Sequence, residues 1–118
     1  MKTLFILIAL LILANACVQK AYQRVVVVTL DVSKVKNIKT VGIRGNGKPL
    51  NWENDYPMKE VIKDSLYKAV IVTQTGYLFA EGKCIVNGNF ELQNKPNRKV
   101  VFDTKKDTTY VNFVFDSE

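Results

Sequence analysis

From Arg24 to Val32 the chain alternates on a period of two, with Val26, Val28, Leu30 and Val32 on one side and Val25, Val27, Thr29 and Asp31 on the other. A run so rich in β-branched side chains favours a pleated strand with one face in a core. Six further segments read the same way: Ile38 to Arg44, Leu66 to Val72, Tyr77 to Val86, Phe90 to Leu92, Arg98 to Phe102 and Thr108 to Phe115. Gly82, inside Tyr77 to Val86, marks a bulge or a close backbone approach.

Turn chemistry separates these runs. Gly45 to Pro49, Lys63 to Ser65, Thr75-Gly76, Asn87-Gly88 and Lys95 to Asn97 each fall between two apolar segments. Asn87-Gly88 is a strong hairpin signal, because both central positions of a primed turn need positive φ. Met58 to Lys63 is the one stretch with helical character, and it is too short to stand alone. The expected fold is all-β, an antiparallel immunoglobulin-like β-sandwich of about seven strands over residues 21–118.

Residues 1–16 are set apart from that domain. Lys2, the apolar run Leu4 to Leu13 and the small-residue ending Ala14-Asn15-Ala16 describe a secretory signal, too short to span a bilayer. The protein is therefore expected to be exported, either secreted or held at the cell envelope. Cys17 has two readings. In one its thiol is acylated and the protein hangs from a membrane as a lipoprotein; in the other it is an incidental first residue after cleavage. Cys84 sits in an apolar-flanked segment, where a buried free thiol is the plain reading; a Cys17–Cys84 disulfide is the alternative.

Composition closes off several chemistries. With no histidine among 118 residues, the Ser-His-Asp, Cys-His and His-ligated metal sites are absent. Two cysteines make neither a disulfide framework nor a four-thiolate site. No complete nucleotide fingerprint surrounds Gly42, Gly45 and Gly47. The net charge of +6 is scattered, with Lys34, Lys36 and Lys39 together and Lys105 and Lys106 together. These read as solvated loops, and export argues against a nucleic-acid partner. No metal, no cofactor and no catalysis are expected. Binding is favoured.

Two segments combine aromatic and polar residues. Trp52, the only tryptophan, is embedded in Leu50-Asn51-Trp52-Glu53-Asn54-Asp55-Tyr56-Pro57. Its neighbours are polar, so a ligand-facing ring competes with an ordinary core role. Asn87 to Glu91 and Asn94 to Arg98 form the second cluster. A flat ring beside amides, a carboxylate and a lysine suits a sugar, whose C–H face stacks while its hydroxyls hydrogen-bond. Two polar turns with Phe90 folded inward is the plainer alternative.

Across nearly all of residues 21–118 the chain resembles the starch-binding domain, carbohydrate-binding module family 20. Val41-Gly42-Ile43-Arg44-Gly45 and Leu50-Asn51-Trp52-Glu53 occupy the places of its second strand and Leu-Gly-x-Trp signature. Glu81-Gly82-Lys83-Cys84-Ile85, Phe90-Glu91, Pro96-Asn97-Arg98 and Thr108-Thr109-Tyr110-Val111 follow in the family's order. Phe90 stands for a tryptophan, Gly82 for an aromatic and Asn51 for the signature glycine. The resemblance implies a non-catalytic module binding starch- or glycogen-type α-glucan. It places Trp52 and Phe90 as stacking rings and Lys83, Glu91 and Asn97 as polar contacts. Tyr56 and Tyr67 are loose candidates for a second site. Family members are commonly appended to hydrolases; here the expected hydrolase partner is carried on another chain.

Two alternatives stay open. One is a protein-interaction or structural sandwich that has lost sugar binding, with Trp52 packed inward and strand edges pairing with a partner. The other is an enzyme using Glu53, Asp55 or Glu91 as an acid–base pair.

Overall fold

The computed structural model describes Thr3 and residues 20–118. Apart from Thr3, the signal expected over residues 1–16 lies outside the described residues, as does Cys17 with its expected acylation. Residues 20–118 contain no helix and nine strands. These are β1 (Tyr22–Asp31), β2 (Val41–Gly45), β3 (Tyr56–Pro57), β4 (Lys59–Ile62), β5 (Leu66–Thr75), β6 (Phe79–Val86), β7 (Asn89–Phe90), β8 (Arg98–Val101) and β9 (Thr108–Val114).

They form two sheets. The first has the order β4-β5-β1-β9; the second has β3-β2-β6-β7, with β8 also on β6. The alternation read in Arg24–Val32 is what packs them together. Val26, Val28, Leu30 and Val32 are buried, facing Val41, Ile43, Cys84 and Val86 of the other sheet, with Ala69, Ile71 and Phe102 in the same core. Leu30 has no solvent exposure, which is worth about 1.5–3 kcal/mol for a side chain of that size. Among the described residues every strand and every buried core residue lies between Tyr22 and Val114, so the core is closed within residues 20–118.

The sandwich is not purely antiparallel. β1 runs antiparallel to β5 but parallel to β9, with Val25 opposite Thr108 and Asp31 opposite Val114. The two strands are separated by some eighty residues, so no short turn constrains their direction. Tyr56–Pro57 and Lys59–Ile62 are strands that patterning did not indicate, and the second replaces the short helix entertained for Met58–Lys63. Met58 itself is buried. There the chain leaves the second sheet at β3 and enters the first at β4, with the Met58 amide donating to Val41 O at 2.9 Å.

Two local expectations hold in detail. Asn87 and Gly88 have φ of 53° and 78°, the pair of positive values that closes the β6–β7 hairpin. Gly82 faces Gly45 across the β2–β6 ladder. A Cβ on Gly82 would meet Arg44 O at 2.8 Å, and one on Gly45 would meet Glu81 O at 2.5 Å. Both obstacles are backbone, which cannot swing aside. Gly45→Ala and Gly82→Ala should each cost about 1–3 kcal/mol, the former more, as read from urea midpoints. Gly88→Ala meets no neighbour within 4 Å; it should cost only the positive-φ penalty, about 1 kcal/mol.

Candidate functional site

Arg44 organises the outer face of the second sheet. It sits opposite Lys83 in the β2–β6 ladder, one step from Gly42, which lies opposite Ile85. Ile85 in turn lies opposite Phe90. Because cross-strand partners share a face, Arg44, Lys83, Ile85 and Phe90 all point to the side opposite Ile43 and Cys84, and on that side Ile85 is itself covered, with 2% exposure.

The guanidinium then ties the tryptophan loop to that face. Arg44 Nε donates to Asp55 Oδ1 at 2.7 Å and Nη1 donates to Trp52 O at 3.0 Å. Its Cζ lies 5.3 Å from the centroid of the Phe90 ring, within cation–π range. The loop is shaped from within by Asn51, whose Oδ1 accepts the amides of Glu53 at 2.9 Å and Asn54 at 2.7 Å. This is the local turn that asparagine favours. Trp52 is 39% exposed and Phe90 36% exposed. Neither ring is packed into the core.

Asn97 is exposed and donates through Nδ2 to Glu81 Oε2 at 3.4 Å. Glu81 lies opposite Lys99 on β8. Trp52, Phe90 and Asn97 are thus open to solvent, and Arg44 and Glu81 stand among them. Both lie in segments that match the family pattern, but patterning gives them no site role, because their position follows from the β2–β6–β8 register.

The other two predicted contacts are committed elsewhere. Glu91 has no solvent exposure, so its carboxylate is not offered to a ligand. Oε2 accepts Arg98 Nε at 2.8 Å and the Cys84 amide at 2.7 Å, while Oε1 accepts Arg98 Nη2 at 2.7 Å and the Asp116 amide at 3.3 Å. The reason lies in the strand layout. β8 pairs with β6 over Phe79–Gly82 and β7 pairs with it at Ile85–Val86. Cys84 falls in the gap between them, and Glu91 fills it with main chain and side chain, its amide donating to Cys84 O at 3.0 Å. Lys83 is half-buried, and its Nζ donates to Leu92 O and Lys95 O, both at 2.9 Å. It fastens the loop after β7 before it can serve a ligand.

Of the three carboxylates weighed for acid–base work, Glu91 is closed off and Asp55 is paired with Arg44, leaving Glu53 exposed in its loop. The hydroxyl of Tyr56 donates to Val70 O, and that of Tyr67 to Glu60 Oε2. Among the described residues no group of three or more His, Cys, Asp or Glu is placed to hold a metal ion.

The fold is similar to part of a glycoside hydrolase family 15 glucoamylase from Hypocrea jecorina, with a TM-score of 0.63 and 19% identity over 80% of this chain. The match covers 17% of the glucoamylase chain, so this protein spans about a sixth of that enzyme's length. At this identity the likeness is one of fold. No protein-family model matches the chain, and no curated protein matches it.

Two outcomes follow from the buried cluster. Glu91→Gln removes the charge facing Arg98, whose guanidinium Glu91 holds more firmly protonated; it should destabilise the fold by about 3–5 kcal/mol in urea unfolding. Burial, and next the nearby Glu91, push the Cys84 thiol well above the ordinary thiol range. Above about pH 8.5 the unfolded chain releases that proton while the folded chain retains it. Stability should therefore fall with rising pH there, and more steeply in the wild type than in Cys84→Ala.

Proposed function

We propose that residues 20–118 form a non-catalytic carbohydrate-binding module for starch- or glycogen-type α-glucan, with the outer face of the second sheet as its platform. The observation that carries this reading is the pair of solvent-facing aromatic side chains, Trp52 and Phe90, joined through Arg44. Amphipathic sugar rings stack on such surfaces, and fixed polar groups beside them select orientation. Asn97 and Glu81 offer an amide and a carboxylate, and Arg44 offers donors that its present bonds already hold in place. The fold likeness to a glycoside hydrolase chain supports the same ligand class. In this reading the module holds glucan for a hydrolase on another chain.

A protein-docking role is the second reading. The outer face of the first sheet favours it, since Val70, Val72 and Tyr110 are exposed there.

Titrating residues 20–118 with maltoheptaose while following tryptophan fluorescence separates the two. A saturable change is expected, and Trp52→Ala should weaken binding at least tenfold, measured by calorimetry, as loss of a stacking anchor does. Phe90→Ala should weaken it less, because the ring is smaller. A flat titration would overturn the glucan reading and leave protein docking.

A further inference from the structure

At the end of the sandwich where the described chain begins, apolar side chains gather in solvent. The β5–β6 turn carries Tyr77 and Leu78, which are 70% and 60% exposed, and Phe79 beside them is also exposed. Tyr22 lies opposite Thr75 at the start of that turn, and Val101 lies opposite Phe79; both are exposed. The backbone here is well tied, with the Phe102 amide donating to Leu78 O at 2.9 Å and the Tyr77 amide to Thr75 Oγ1 at 3.0 Å.

Cations are laid over these rings. Lys99 Nζ is 4.2 Å from the Phe79 centroid, and Lys20 Nζ and Arg24 Cζ are 5.3 and 5.2 Å from that of Tyr22. The neighbouring 103–107 loop sets Lys105 and Lys106 against Asp103 and Asp107, so Lys20, Arg24 and Lys99 leave this end positive. Exposed aromatic and aliphatic side chains ringed by Lys and Arg suit the boundary of a bilayer, where rings sit at headgroup depth and cations meet phosphates.

The sequence indicates which surface this end would meet. Lys20 follows Cys17 by three residues, a span of at most about 10 Å of extended chain. An acyl group on Cys17 would hold this end, and no other, against the membrane. We propose that the Tyr22–Tyr77–Leu78–Phe79–Val101 surface docks on an anionic phospholipid bilayer. Phe79 and Val101 share the outer face of the second sheet with Lys83 and Phe90 but lie at its β5–β6 end, so docking through that end leaves Phe90, opposite Ile85 further along β6, farther from the lipid. The inference does not rest on the glucan reading.

Co-sedimentation of residues 20–118, which lack Cys17, with vesicles tests the surface by itself. Phosphatidylcholine vesicles containing phosphatidylglycerol, at millimolar lipid and low salt, should pellet the protein, and pure phosphatidylcholine should pellet much less. Leu78→Ser combined with Phe79→Ser should lower the partition coefficient at least tenfold, since it removes two of the five exposed apolar side chains of the surface, both at its β5–β6 turn. Trp52→Ala should leave it unchanged. Both altered side chains are exposed, so the variant keeps its core, and its urea midpoint checks this. Absence of pelleting with anionic vesicles would overturn the proposal. So would pelleting that survives the double substitution but is lost on changing Lys34, Lys36 and Lys39, which lie at the opposite end.

Discussion

The Glu91–Arg98 pair is a buried ionic link that ties the second sheet to the segment after β9. Glu91 completes the β6 edge at Cys84, where neither β7 nor β8 reaches. Arg98, on β8, also donates through Nη2 to Val114 O at 2.8 Å and to Ser117 O at 2.7 Å, and it lies 4.3 Å from the Phe113 centroid. One carboxylate and one guanidinium thus bind the second sheet to the end of β9 in the first. The pair is buried, so its desolvation cost is offset only because nearly every polar atom finds a partner. Such a cluster specifies one arrangement of the two sheets more than it adds net stability.

The same cluster frees the outer face for other work. With Glu91 turned inward and Lys83 fastening the 92–95 loop, the platform is left to Trp52, Phe90, Arg44, Asn97 and Glu81. Arg44 can span the tryptophan loop and the β7 hairpin because Gly45 and Gly82 let β2 and β6 approach closely. Small residues in the ladder and a large, planar cation on its surface are two sides of one arrangement. Gly82, where the family resemblance has an aromatic, is required by main-chain proximity.

Much of this fold could be read from the residues alone. The period-two run of β1 and the Asn87-Gly88 turn are local signals, and local signals survive folding. β3 and β4 were missed because each is held by tertiary partners: two residues beside β2, and four exposed residues along β5. The parallel pairing of β1 with β9 leaves no mark in either strand. At the site, Trp52 and Phe90 stood out as aromatics in polar surroundings. Glu91 is ambiguous because a carboxylate beside an aromatic looks the same in sequence whether it faces a sugar or a buried arginine; only the gap in the β6 edge decides. Arg44 could not be chosen from many scattered cations without the register.

The central position of β1 has a consequence for how the protein fails. Val25-Val26-Val27-Val28-Thr29-Leu30 is uncharged, β-branched at every position but Leu30, and free of proline and glycine, the composition from which cross-β stacks are built. It is harmless while β5 and β9 occupy its two edges. β9 comes from far along the chain, so one of those edges stays open until the last strand arrives, and it reopens whenever that strand frays. β9 therefore acts as a safety cover over the segment most prone to self-association, and its departure would release aggregation before the core itself came apart.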